Sequence, residues 1–222
     1  MLILVLISYN DWPLIKSCLE PVKDYVDHIV LVDGIFADFP MRPDDQPTST
    51  DGTIEYFLDL ETNAEKSLIL YPGLLEVEKR NKYLLGDPGD WYLHLDTDEV
   101  VENPETLLEL PDADVGWVQM HWTNRFARYP RLFRHVDGLH YDGLHYRLVD
   151  ADGNLFTDIQ QTGGQYTRAA HPLKIRHDIA MRPDFRAKQK LIYYRHLTEQ
   201  EHDIKEQLRY GCYTPRPYPH SD

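Results

Sequence analysis

A chain of 222 residues, 42% hydrophobic and 27% charged, has the composition of a folded domain and the length for one substantial core. Its formal net charge of −14 argues against nucleic-acid binding and against docking on an anionic membrane, since both need a basic face. Cys18 and Cys212 lie far apart without metal-ligand spacing and read as free thiols of a reducing, cytoplasmic compartment, and no apolar run is long enough for a transmembrane segment.

Leu2–Ser8 is apolar up to Ile7, which predicts a strand covered on both faces. Tyr9-Asn10-Asp11 makes the turn that follows. Asp11 is the expected N-cap of a helix over residues 12–25, where Leu14, Cys18, Val22 and Val26 recur at helical spacing. Residues 28–32 form a second apolar strand ending in Asp33-Gly34, so the chain opens β-α-β with a right-handed parallel crossover. Residues 35–49 are a long loop rich in Pro and Asp, a length that points to a function such as a lid. Thr50 is expected to cap a helix reaching about Leu60. Residues 67–71 read as a third strand, and residues 74–85 as a charged helix stopped by Gly86.

The apolar run Trp91-Tyr92-Leu93-His94-Leu95 then breaks into Asp96-Thr97-Asp98-Glu99. At a strand end residues i and i+2 share a side, so Asp96 and Asp98 are expected to converge on one point past the sheet edge. Two hard oxygen donors there suit Mn²⁺ or Mg²⁺, which take one or two carboxylates and complete their shells with water and phosphate. Taken alone, Asp-x-Asp is also a common turn or helix cap; its place after a buried strand favours the metal.

Asn103-Pro104 starts a brief helix to Leu110, and Val115–Trp122 is the next strand. Short strands, expected to be antiparallel, follow at residues 131–134, 139–149 and 154–156, with Asp152-Gly153 as a hairpin signal, and residues 172–177 make a last strand. Residues 183–197 and 199–210 read as helices before a proline-rich tail. The expected layout is a catalytic domain over residues 1–182 and a helical extension over residues 183–222 packed on it. The first strand is followed by neither a G-x-G-x-x-G nor a P-loop, which disfavours a dinucleotide fold and excludes a P-loop one.

The order of these pieces resembles the family 2 glycosyltransferases of GT-A fold, small bacterial and phage members in particular. The resemblance rests on Ser8-Tyr9-Asn10, Val32-Asp33-Gly34, Ser49-Thr50-Asp51-Gly52-Thr53 and Asp96-Thr97-Asp98. The family's single V-D-D-G-S-x-D-G-T block is here split between Gly34 and Ser49. Lys79-Arg80-Asn81 resembles its Arg-Asn segment, Pro130-Arg131-Leu132-Phe133-Arg134 and Leu144-His145 its acceptor-side segment, and Ile175-Arg176-His177 its late histidine strand before a basic helix.

The resemblance implies a Rossmann-like, mostly parallel α/β sheet flanked by helices, with a small antiparallel acceptor-side part and C-terminal helices. It implies a metal-dependent glycosyltransferase that takes a UDP- or GDP-linked sugar to a protein, glycan or small-molecule acceptor. Ser8, Tyr9, Asn10 and Asp33 would line the base and ribose pocket. Asp96 would meet the ribose or the metal; Asp98 and His177 would ligate the metal. Arg80, with Arg182 or Lys188, would meet the diphosphate. His140 and His145 would stand on the acceptor side, and Asp142 and Glu99 are the candidate bases. Each residue also has a plainer reading: Asp33 ending a strand, Arg80 on a charged helix surface, His177 as a core histidine. A sugar-1-phosphate nucleotidylyltransferase and a non-catalytic nucleotide- or sugar-binding protein are the competing functions; the former lacks its Gly-rich phosphate loop here.

Overall fold

The first strand, β1 (Leu2–Ser8), is buried at every position because alternate side chains serve two different cores. Leu2, Leu4 and Leu6 pack on one face of the sheet with Ile15, Cys18 and Leu19, while Ile3 and Val5 pack on the other with Tyr83 and Tyr92. A strand covered on both sides has no polar position to spare, which is why its sequence reads as a run rather than an alternation.

The computed structural model describes residues 1–37, 39, 43–122, 125–142 and 147–177. The chain divides into two compact units, Met1–Asp38 with Pro43–Arg182, and Phe39–Arg42 with Pro183–Asp222. Every described strand and helix belongs to the first unit.

After β1 come α1 (Leu14–Leu19), β2 (His28–Asp33), α2 (Thr53–Asp59), β3 (Glu65–Leu70), α3 (Glu76–Lys82) and β4 (Trp91–His94). Next are β5 (Glu99–Val101), a 3₁₀ turn (Pro104–Leu108), β6 (Val115–Trp122) and β7 (Arg125–Arg134). The last strands are β8 (His140–Tyr141), β9 (Leu148–Val149), β10 (Leu155–Thr157) and β11 (Arg168–His177). The large sheet runs β3-β2-β1-β4-β7-β6-β11-β5, and β10-β9-β8 form a small antiparallel sheet. Four of the seven pairings in the large sheet are parallel: β3–β2, β2–β1, β1–β4 and β6–β11. The other three are antiparallel. This is the Rossmann-like mixed α/β class expected of a GT-A fold. Its parallel half changes direction of winding at β1, which has β2 on one side and β4 on the other. Ligands of such sheets settle at the carboxyl ends of the strands beside that point.

Several local expectations are corrected. α1 ends at Leu19, since Pro21 has no N–H with which to continue it. Asp11 does not cap α1: its Oδ2 accepts from Tyr9 N at 3.3 Å. Nor does Thr50 cap α2, whose N-cap is Gly52; Asp51 Oδ1 instead takes the Thr53 N–H at 3.1 Å and its hydroxyl at 2.7 Å. α3 starts later than its pattern suggests because Leu74 is engaged in a bridge with Phe36. The strand before the Asp pair stops at His94, and β5, three residues long, is an element that periodicity does not reveal. Among the described residues no helix is long and apolar enough to cross a membrane. The helices expected after residue 182 lie outside the described residues.

Candidate active site

The carboxyl end of β2 is closed by Asp33, which is fully buried. Its Oδ1 accepts from Ser49 N at 2.8 Å, and its Oδ2 accepts from the Ser49 hydroxyl at 2.5 Å and the Ser8 hydroxyl at 3.2 Å. Burial raises its pKa, and the Ser49 and Ser8 hydrogen bonds and the charge of Lys79 work against that rise. Asp33 thus ties the end of β1 to the far end of the long loop. Tyr9 and Asn10 take part in the same stitching: the Tyr9 hydroxyl donates to Gln46 O at 2.7 Å, Asn10 N donates to Ser49 Oγ at 2.6 Å, and Asn10 Oδ1 accepts from Thr50 N at 2.9 Å. Ser8 and Tyr9 are buried; Asn10 keeps partial exposure.

Next to Asp33, Gly34 has φ +135°, and a Cβ there would stand 2.8 Å from Pro72 N, so only glycine fits. Its carbonyl accepts from Lys79 Nζ, and the ammonium lies 4.5 Å from the centre of the Phe36 ring. Lys79 is fully buried, and burial pulls its pKa down to about 8.

Past β4 the chain does not stay extended. Asp96-Thr97-Asp98-Glu99 is a turn closed by Glu99 N donating to Asp96 O at 2.9 Å. The alternation of an extended strand therefore does not govern the two carboxylates, which have different partners. Asp96 faces the arginines: Arg80 Nη2 is 3.4 Å from Oδ1 and Arg131 Nη2 is 3.5 Å from Oδ2. Asp98 faces His177, whose Nε2 is 3.4 Å from its Oδ1. Burial opposes the charge of Asp96, but His94, Arg131 and Arg80 hold its carboxyl well below the usual carboxylate range. Burial also lowers His177, yet Asp98 and the acidic side chains beyond it bring its pKa above the ordinary imidazole value.

Each arginine has a second carboxylate. Arg80 donates from Nε and Nη2 to Glu76 Oε1, one helical turn back, at 3.0 and 2.7 Å. Arg131 donates to Glu99 Oε1, and Glu99 Oε2 accepts from Asp96 N at 3.0 Å. Glu99 is fully buried, and burial, opposed by Arg131, pushes its pKa up to about 7. With both oxygens engaged and no exposed surface, Glu99 is not placed to meet an acceptor hydroxyl.

Arg80 also donates to His94 Nε2 and, at 3.3 Å, to the Tyr83 hydroxyl, which donates to the Tyr141 hydroxyl at 3.0 Å. Since His94 Nε2 accepts, its proton sits on Nδ1, which faces the Tyr141 hydroxyl at 3.4 Å. Burial and the Arg80 charge pull the His94 pKa down to about 3. Asn81 fixes β8 from the same helix. Its Nδ2 donates to Tyr141 O at 3.0 Å and its Oδ1 accepts from Tyr141 N at 2.6 Å. Asp142, the next residue, is exposed and lies 3.9 Å from Arg147. His140 is exposed, its Nδ1 2.8 Å from Gly138 O.

The structure thus brings together Ser8, Asn10 and Asp33 at one strand end, and Arg80, Asp96, Asp98, Glu99 and His177 at another. Asp142 and His140 sit on the small sheet. Arg182, Lys188 and His145 lie outside the described residues. Sequence reasoning missed Arg131, Glu76, His94 and Tyr141 as site residues. Glu76 and Arg80 stand at i, i+4 spacing, which is visible in the sequence; Arg131 is one of four arginines in β7, with no local mark to single it out or to name its partners. Among the described residues no three His, Cys, Asp or Glu side chains group as a metal cluster. Asp98 and His177 form a pair of donors.

No family model matches the chain, and no curated protein does. Among solved structures, S. aureus TarS 1–349 is similar at 20% identity and TM-score 0.43, over 56% of this chain and 36% of that one. The same protein in complex with UDP-GlcNAc gives 20%, 0.42, 55% and 35%. HddC from Yersinia pseudotuberculosis gives 12% identity and TM-score 0.35, over 80% of this chain and 77% of that one. The chain spans about a third of the TarS fragment it matches. These likenesses are too slight to carry function from those proteins to this one.

Proposed function

We propose that this chain is a glycosyltransferase that moves a sugar from a nucleoside-diphosphate sugar, UDP- or GDP-linked, to an acceptor hydroxyl. The observation that carries the reading is the grouping of Asp96, Asp98 and His177 just past the carboxyl end of β4, beside the point where the parallel half reverses its winding.

The geometry supports the following division of labour. Asp96 is ionised and partly exposed, so it accepts hydrogen bonds from neutral donors such as ribose hydroxyls. With an arginine near each of its oxygens, it is poorly placed to ligate a cation. Asp98 and His177 offer one hard oxygen and one imidazole nitrogen, a mixed pair that would suit Mn²⁺ better than Mg²⁺, which prefers oxygen ligands. Such an ion would supply stabilisation of the negative charge that grows on the departing diphosphate. Arg80 is buried against Glu76, His94 and Tyr83, so it serves Asp96 rather than the diphosphate. Asp33 shapes the base pocket by fixing Ser8 and Ser49, and Asn10 presents the exposed edge. Asp142 is the carboxylate open to an acceptor, with Tyr141 and Asn81 anchoring it; it is the proposed base, accepting the hydroxyl proton as the new bond forms.

Thermal-shift titration with UDP, GDP and CDP in Mn²⁺ tests the reading. A rise in melting temperature that saturates with one of them supports it; no response to any of the three contradicts it.

A further inference from the structure

Along β6 and β11 one face of the large sheet is covered: Val118, Met120, Leu173 and Ile175 are buried in the core. The other face is open there. Opposed residues of paired strands share a face, so the register sets out the open side in rows. Gln119 stands between Arg128 of β7 and Lys174 of β11, and His121 stands between Phe126 and Arg176. Arg128, Lys174 and Arg176 are exposed, and Phe126 is 78% exposed. Strand spacing sets the backbones of Arg128 and Lys174 about 10 Å apart, and the two rows about 7 Å from each other. Arg176 lies 3.5 Å from Glu102, which His121 also meets at 3.9 Å. Arg128 donates to a neutral group, Trp117 O, at 3.3 Å, and among the described residues neither it nor Lys174 is in a salt bridge. A chain of net charge −14 thus gathers three cations round an exposed aromatic ring on one sheet face. The β11 cations end one residue short of His177, which belongs to the Asp98–His177 pair.

We infer that this face docks the acceptor, and that the acceptor is an anionic carbohydrate chain. The inference rests on the glycosyltransferase reading above, which requires an acceptor near the Asp98–His177 pair. Charge complementarity selects a negatively charged ligand: Arg128 and Lys174 have no carboxylate of their own, and an acidic protein gains nothing from holding them on one face unless an anion meets them. The flat ring of Phe126 suits a sugar, which presents C–H groups on one face and hydroxyls round its edge. Gln119 and His121, between the cations, supply neutral donors and acceptors for those hydroxyls.

The test is calorimetric titration with oligogalacturonate, whose sugars carry carboxylates, and with the same oligosaccharide after its carboxylates are reduced to alcohols. Oligoglutamate and single-stranded DNA of equal charge are the other polyanions. The proteins are the wild type, Arg128→Gln with Lys174→Gln, Phe126→Ala, and Lys16→Gln with Lys23→Gln, which removes two charges on and just after α1. Wild type is expected to bind oligogalacturonate about tenfold or more tightly than the reduced chain or either other polyanion, and less tightly as salt is raised. Loss of the Arg128 and Lys174 charges together should weaken binding about tenfold, roughly threefold for each, and Phe126→Ala about fivefold. The Lys16 and Lys23 variant should bind as wild type does, and every variant should keep the thermal shift with nucleoside diphosphate. No binding of oligogalacturonate, equal binding of the reduced chain, or equal binding of oligoglutamate or DNA overturns the inference. So does full affinity in the folded Arg128 and Lys174 variant. In each case the glycosyltransferase reading stands on its nucleotide response. If wild type binds no nucleoside diphosphate, the acceptor assignment falls with that reading. Should the double variant not fold, Lys174→Gln alone decides the matter on the smaller factor.

Discussion

His177 Nε2 lies 3.4 Å from Asp98 Oδ1 because β11 and β5 pair antiparallel with His177 opposite Glu99. A residue from the end of the described chain is thus brought beside the Asp96–Asp98 turn by sheet register alone. If this pair holds a divalent ion, Mn²⁺ should tighten nucleoside-diphosphate binding, and Asp98→Ala or His177→Ala should each remove most of that gain. Calorimetry in Mn²⁺ and in EDTA checks it; equal wild-type affinity in the two would contradict the metal role.

Arg80→Ala should be severely destabilising. It leaves Glu76, with 6% of its side chain exposed, without its guanidinium. Breaking one side of a buried pair typically costs about 3–5 kcal/mol. Arg80→Lys should recover little, because one ammonium cannot serve Glu76, Tyr83 and His94 at once. Urea unfolding of the three proteins measures this, and near-wild-type stability of Arg80→Ala would place the charge network outside the folded core.

His94 and Glu99 should give stability opposite pH slopes. His94 has a folded-state pKa of about 3, below the ordinary 6.5, so the unfolded chain takes up the proton first. Its contribution is present above pH 6.5 and is lost as pH falls towards 3, by about 3–5 kcal/mol in full. Glu99, raised from 4.5 to about 7, works the other way: ionising it in the folded state is unfavourable, so stability falls as pH rises from 4.5 through 7. His94→Gln, which keeps an acceptor for Arg80, should flatten the acid limb of a melting-temperature profile. Unchanged acid sensitivity in that variant would show that His94 is not the group responsible.

Asn81→Ala should loosen the small sheet without unfolding the large one. The substitution removes both hydrogen bonds between α3 and the Tyr141 backbone, each worth about 1 kcal/mol. Amide exchange at Tyr141 should accelerate while exchange in β1 and β2 stays slow. Equal acceleration in all three strands would mean that Asn81 supports the whole fold.

Much of this fold is legible residue by residue. β1 and β2 are unbroken apolar runs because both their faces are buried, and Gly34 marks the close approach to Pro72. The Asp96–Asp98 stretch stands out as an abrupt end to such a run. What lies beyond is set by distant pairing. β5 is too short to show a period and exists because β11 pairs with it, and that same pairing brings His177 to Asp98. Arg131 is one of four arginines in β7, and the carboxylates that justify its burial belong to the Asp96 turn and β5, 32 residues away in the case of Glu99. The partners of Asp96 and Asp98 likewise come from distant strands and a helix, which spacing alone does not supply.

The central claim is transfer of a sugar from a nucleotide donor, and a donor screen read by mass spectrometry tests it most directly. The protein is incubated with UDP- and GDP-linked sugars, in Mn²⁺ and in EDTA, and the nucleotide products are identified. The account predicts release of a nucleoside diphosphate from one donor class, faster in Mn²⁺ and abolished in Asp98→Ala. Formation of a nucleoside triphosphate on addition of pyrophosphate, or no turnover of any donor by a folded protein, would contradict it.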